Sequence, residues 1–440
     1  MGTSGSLYSA LVNRSREAEA QLPDDVRRDV PRNGLLQVFA SALQSSGDKA
    51  MAPSTVLPWL LHAMGAPTAL TGLLVPIRES GSMLPQAFLT PLIVRIRYRK
   101  WVVVAGHVVQ ALAVAAMALA AAVAAGVAGG VAIVVALAVF SLGRCLTSIG
   151  TKDVMGRTLP KGERGQINGL STTASGVVAI TLGLGIRALG GAELSAGQLA
   201  WLLAGAAVLW AGAAAVYAAV REPADEPAGR EAGAKSLSDG NGLRLLREDR
   251  LFRSFVTTRS FLLVSALSPP FVVTLAVSSG SSSLAGLGGF VIASGIASII
   301  GGRIFGRAAD RSSRKLMAYG AAAASVVIVA LVVVVSLPGF SGSTLVGSLA
   351  LILGYLLLTM LHTGVRVGRK TYIVDMAEGD KRTVYVAVSN TAMGVILLVV
   401  GGISSLLALA GVVWALLFLA VLGMFGAVWG LRLPEVSQGR

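Results

Sequence analysis

The stretch "WVVVAGHVVQALAVAAMALAAAVAAGV", Trp101 to Val127, carries no Asp, Glu, Lys or Arg. A run of about 18 or more apolar residues is long enough to cross a bilayer as a helix. Two further runs, "AWLLAGAAVLWAGAAAVYAAV" and "MAYGAAAASVVIVALVVVVSL", have the same character. Hydrocarbon offers backbone N–H and C=O groups no partner, so such runs must satisfy them internally as helices. Only 13% of the 440 residues are charged, against about 25% in soluble domains. The fold class is therefore an all-α polytopic membrane protein.

Twelve spans are expected: 35–61, 68–94, 101–125, 129–150, 167–190 and 198–220, then 252–277, 283–306, 315–337, 343–365, 384–409 and 411–431. The segment 221–251, rich in Pro, Gly, Ser and charge, reads as a linker. It separates an N-terminal six-helix bundle, 34–220, from a C-terminal bundle, 252–440, which ends in a short tail. Residues 1–33 are polar, have no apolar core before a small-residue cleavage site, and read as a cytoplasmic tail. Most of the 37 Lys and Arg fall in the tail, the C-terminus, alternate loops and the span ends beside those loops; Lys49, Arg78, Arg144, Arg187 and Arg259 lie inside spans. Positive charge stays inside, so both termini are expected in the cytoplasm of a cell whose inner (plasma) membrane holds the chain. The net charge of +15 thus reflects orientation in a lipid bilayer, with no nucleic-acid partner.

The two halves resemble each other. "STTASG" (171–176) matches "SNTAMG" (389–394) at an offset of 218, "RYRK" matches "SSRK" at 215, and Pro53 matches Pro269 at 216. An even number of spans per half makes this a parallel pseudo-repeat about an axis along the membrane normal. At an offset of 214, Ser80-Gly81 of "PIRESGS" falls on Ser294-Gly295, while Arg78 and Glu79 fall on Ile292 and Ala293. The small pair recurs, as close helix packing requires; the charged pair is particular to the first half.

The stretch "GRAADRSSRK" joins spans eight and nine. It resembles the G-x-x-x-D-R-x-x-R-K signature of the major facilitator superfamily. The resemblance implies an MFS fold, secondary transport, no cofactor, and a proton gradient as driving force. It assigns Gly306, Asp310, Arg311, Arg314 and Lys315 to a cytoplasmic gate, with Asp310 near a helix N-terminus and paired to a basic residue. The first-half copy, "PLIVRIRYRK", has Pro91 in place of Gly306 and Arg95 in place of Asp310, which leaves the latch to the second half. Arg144 in "SLGRCLTSIG" resembles the intramembrane arginine of proton-coupled members. The fifth span lacks the proline of the drug-antiporter signature.

Of the 22 acidic residues only Asp48 and Glu79 fall inside spans. Ionisable groups at membrane depth mark function and need a partner. Spans one and two turn near Gly65, so residues whose numbers sum to about 130 share a depth; with about 5.4 Å per turn, Asp48–Arg78 and Lys49–Glu79 come within reach. Asp48, Lys49, Arg78, Glu79 and Arg144 are the candidates for solute and proton coupling. Gln44, Ser45, Thr55, Arg259 and Asn390 are candidates for lining the cavity. Three interior arginines against two acids favour a small anionic or zwitterionic organic solute as partner, with the chain acting as a monomer. A drug or metabolite efflux antiporter and a non-transporting sensor on the same fold are the alternatives. The sequence has no P-loop, no metal-ligand spacing and no catalytic triad pattern, so no metal and no catalytic residues are assigned; Cys145 is the only cysteine.

Overall fold

The computed structural model describes residues 3–12, 19–20, 22–94, 96–160, 163–190, 194–223, 246–280, 286–376 and 381–436. Among these, secondary structure is helical. The first half holds α1 (Thr3–Leu11), α2 (Asp24–Ala50), α3 (Val56–Ala63), α4 (Thr68–Met83), α5 (Gln86–Val94), α6 (Lys100–Val123), α7 (Gly126–Thr158), α8 (Glu163–Gly190) and α9 (Ala196–Ala218). The second half holds α10 (Arg250–Phe261), α11 (Val264–Ser278), α12 (Leu287–Val335), α13 (Leu345–Met376), α14 (Lys381–Ala410) and α15 (Val412–Leu431).

Among the described residues, eight helices are long and apolar enough to span a membrane: Lys100–Val123, Gly126–Thr158, Ala196–Ala218, Arg250–Ser278, Arg311–Val335, Leu345–Ile373, Val388–Ala410 and Val412–Leu431. Shorter apolar helices, Gly176–Ala188 and Leu287–Gly301, cover parts of the expected spans five and eight. The segments of spans one and two are helical but interrupted. The first breaks at Met51–Thr55 around Pro53, and the second between Met83 and Gln86 around Pro85. Proline lacks a backbone donor and its ring crowds the preceding turn, so helices break there. Gly65, at φ 70°, makes the tight turn between α3 and α4 that the depth count assumes.

Outward faces are apolar, as lipid demands. Leu112, Leu119, Val208, Val346 and Phe425 are all more than half exposed. Trp201 and Trp414 are exposed as well, in keeping with interfacial aromatics. Trp210 is instead fully buried, edge-on to Phe140, with its ring against Gly47 of α2.

Small residues join the halves of the sequence. A Cβ on Gly401 of α14 would sit 2.1 Å from Cγ of Pro76 in α4. A Cβ on Gly183 of α8 would sit 2.7 Å from the carbonyl oxygen of Gly288 in α12. Bare backbone at these points lets helices approach closely, and in lipid such packing drives association. The recurring Ser-Gly pairs do the same: Gly81 presses on Ser141 of α7, and Gly295 on Ala179 and Ile180 of α8.

The polar tail gains structure, and one sequence expectation changes. The polar N-terminal segment is partly folded, with α1 placing Tyr8 in a fully buried niche beside Gly34, where its hydroxyl donates to Glu163 Oε2 at 2.6 Å. The expected loop between spans eight and nine is helical within α12, interrupted at Ser312, whose backbone is extended (φ −166°, ψ 100°). Ser312 Oγ accepts the Lys315 N–H at 3.1 Å and so caps the helix that follows.

Candidate functional site: an interior charge cluster

Asp48 lies one turn before the break that ends α2. Its Oδ2 accepts from Arg144 Nη1 of α7 at 2.6 Å, and its Oδ1 from Arg78 Nη2 of α4 at 3.4 Å. Arg78 also donates through Nη1 to Glu79 Oε1 at 2.5 Å. The result is a row of alternating charge, Glu79–Arg78–Asp48–Arg144, drawn from three helices. Neighbouring helix residues do not ordinarily face each other, so the Arg78–Glu79 contact requires both side chains to turn into one space. Arg78 Nε is buried there without an acceptor.

The depth count thus places Asp48 and Arg78 correctly, and Arg144 joins them rather than reaching towards the membrane surface. The Lys49–Glu79 pairing does not form. Successive residues on a helix point about 100° apart, so Lys49 leaves the Asp48 face and donates through Nζ to Ser298 Oγ of α12 at 3.2 Å. His107 of α6, 1% exposed, interacts electrostatically with Arg144 and Asp48. Its apolar neighbourhood in the sequence gave no sign of this.

Arg259 is also interior rather than at the surface. It is 8% exposed, and its Nη1 and Nη2 donate to Ser389 Oγ at 2.6 Å and Asn390 Oδ1 at 3.0 Å. The structure therefore joins two residues chosen separately from the sequence, Arg259 and Asn390. Thr55 is buried beside the Tyr355 hydroxyl, and Gln44 and Ser45 are half-buried on α2.

Sequence reasoning missed the stripe on α13. Arg366 interacts electrostatically with Glu79 and Arg78, and Arg369 with Arg366 and Glu79. Both were counted with the positive cytoplasmic loop. The helix runs on to Met376, which carries them beside the cluster.

Of the residues expected to form a gate, the side chain of Asp310 lies outside the described residues, and Arg311 and Lys315 are exposed. Arg314 turns to the C-terminal segment: Nε lies 3.5 Å from Glu435 Oε2, and Nη1 donates to the Leu433 carbonyl at 3.0 Å. Ser312 Oγ also donates to Glu435. The first half has a matching arrangement. Glu222 accepts the Lys100 N–H at 2.8 Å, and Lys100 Nζ donates to the Val220 carbonyl at 2.9 Å. Arg99 pairs with Asp153. Each half of the sequence thus ties the start of a long apolar helical segment, Lys100–Val123 or Arg311–Val335, to the residues following its last helix. Arg95, the first-half counterpart of Asp310, lies outside the described residues.

Long apolar helices sutured by small residues around an interior charge cluster define a multi-pass membrane protein. The Major Facilitator Superfamily profile matches residues 38–365, and the chain belongs to that superfamily. Its fold is similar to that of the nucleoside transporter NupG (D323A mutant), with 13% identity and a TM-score of 0.69 over 91% of this chain and 99% of that one. It is also similar to a D-xylose-proton symporter (13% identity, TM-score 0.69, 92% and 99% covered). A POT family transporter in complex with a thioalcohol-conjugated peptide matches at 11% identity and TM-score 0.65, over 90% and 95%. No curated protein matches the chain in sequence.

Proposed function

We propose that this chain moves a small anionic or zwitterionic organic solute across the inner (plasma) membrane by alternating access, coupled to protons. It acts as a monomer of twelve crossings in two six-helix bundles, 34–220 and 252–440, with both termini cytoplasmic. The observation that carries this reading is Asp48 held between Arg144 and Arg78, with Glu79 on the far side of Arg78. An adjacent arginine favours the ionised carboxylate, whereas burial favours the protonated one. A solute that engages Arg78 weakens its hold on Asp48 and Glu79 and so promotes proton uptake. Occupancy by solute and by proton are then linked. A described relative of similar fold, the D-xylose-proton symporter, lends support to proton coupling.

Alternating access in this reading rocks the bundles about the α4–α14 and α8–α12 seams, while Gly306, Asp310, Arg311, Arg314 and Lys315 form the cytoplasmic gate. The deciding experiment reconstitutes the purified protein in vesicles under an imposed pH gradient and screens labelled organic acids and amino acids. Asp48→Asn and Glu79→Gln should each abolish gradient-driven accumulation while the protein still inserts. Accumulation persisting in both variants would discard the carboxylate carrier. Saturable solute binding with no flux under any gradient would favour the sensor alternative.

A further inference from the structure

The second half contains positive charge that the Asp48 cluster does not neutralise. Arg259 is held by two neutral partners, Ser389 and Asn390, and the charge described as acting on it is another cation, Arg369. Arg369 in turn meets Arg366, with Glu79 as the one acid described near it. Glu79 is already in contact with Arg78 at 2.5 Å. Arg366 and Arg369 therefore share one carboxylate that is engaged elsewhere, and Arg259 has no acid described beside it.

The geometry favours a ligand over a structural role. His362, Arg366 and Arg369 follow an i, i+4, i+7 spacing and so lie on one face of α13. His362 Nδ1 sits 3.5 Å from Ser265 Oγ of α11, which turns this face towards the α10–α11 segment that carries Arg259. Nε of Arg259 and Nε of Arg369 are both buried without an acceptor. Arg366 is exposed and interacts electrostatically with Arg78, Glu79 and Lys49. Buried donors lacking acceptors are costly, and like charges brought together out of water more so. A planar oxyanion satisfies both at once, because a guanidinium presents a fork of N–H groups matched to carboxylate or phosphate.

We propose that Arg259, Arg366 and Arg369 form an oxyanion site that takes the carboxylate or phosphate group of the solute, separate from the Asp48 row. This rests on the transporter reading for the word solute, but the site itself is tested by binding alone. Arg259 is the fixed floor, oriented by Ser389 and Asn390. Arg369 closes one side, and Arg366 meets the anion at the open side.

The test uses the full-length protein purified in detergent, with thermal melting followed during titration with inorganic phosphate, succinate or uncharged succinamide at constant ionic strength. The wild type should show a saturable rise in Tm with phosphate or succinate and none with succinamide. Arg369→Gln and Arg259→Lys should each move the titration midpoint up by about tenfold or more, the second because it keeps the charge and loses the fork. No saturable rise with either anion, or midpoints unchanged in both variants, would overturn the site. Proton-coupled flux of an uncharged solute without anion stabilisation removes the oxyanion site and leaves the transporter reading standing. Anion stabilisation lost in Arg369→Gln, in a protein without flux, keeps the site and removes the transporter reading.

Discussion

Glu222 and Glu435 hold equivalent positions in the two halves of the chain. Each follows the last helix of its half and accepts a hydrogen bond from the start of a long apolar segment, from the Lys100 N–H in one case and the Ser312 hydroxyl in the other. The equivalence was not visible in the repeat, because the residues around them, "VREP" and "RLPE", place the acid on opposite sides of the proline.

Burial raises the Glu222 carboxyl above its ordinary value of 4.5, more than the Lys100 and Arg99 backbone bonds lower it. A carboxyl raised in the folded state is stabilising in its protonated form. Its contribution is full below pH 4.5 and fades as pH rises through the shifted value. Glu222→Gln should therefore melt at the same or higher temperature than wild type at pH 7, with the gap closing towards pH 4. A gap that widens on acidification would show the opposite sign.

The Asp48–Arg144 contact predicts strong coupling. Removing one partner of a buried pair costs about 3–5 kcal/mol, because the other charge is left behind. Asp48→Asn should lower stability towards the lower end of that range, and Arg144→Gln less, because Asp48 is part-exposed and keeps Arg78. The double variant should recover about 1–3 kcal/mol relative to the sum. Detergent unfolding of all four proteins measures this, and strict additivity would mean the two groups do not sense each other.

Lys49 Nζ donates to Ser298 Oγ, from the first half of the chain to the second. Lys49→Met and Ser298→Ala should each cost about 0.5–1.5 kcal/mol, and combining them should cost little more than either alone. Thermal melts of the singles and the double test this.

Gly401 has no room for a side chain. Gly401→Ala should destabilise the protein by about 1–3 kcal/mol, since the methyl meets the Pro76 ring. Pro76→Ala in the same protein should restore part of the loss. A Gly401→Ala protein that melts like the wild type would mean that the α4–α14 seam yields freely.

The parts of the site that were legible in the sequence are those set by depth. Asp48 and Arg78 could be paired by counting residues from the Gly65 turn, because two antiparallel helices fix height. Rotation about the helix axis was not recoverable in the same way, and Lys49 consequently faces Ser298 instead of Glu79. Arg366 and Arg369 were hidden because a run of cations at a helix end looks alike whether it meets water or folds back beside a buried cluster. Arg259 was visible as an interior charge, but its partners Ser389 and Asn390 come from a distant helix. The helical character of the chain was plain from the apolar runs. The interruptions at Pro53 and Pro85 were marked by proline, yet how far the first two segments depart from regular crossings depends on packing against neighbours.

The seating of Pro76 on Gly401 has a mechanical consequence. A proline ring resting on bare backbone offers no hydrogen bond to break and no charge to rehydrate as one surface turns against the other. Such a contact works as a dry bearing, whose friction is set by shape alone. Arg78 and Glu79 begin only two residues farther along α4, so a small roll at the bearing swings the charged pair through an arc without any ionic link having to rupture at the pivot itself.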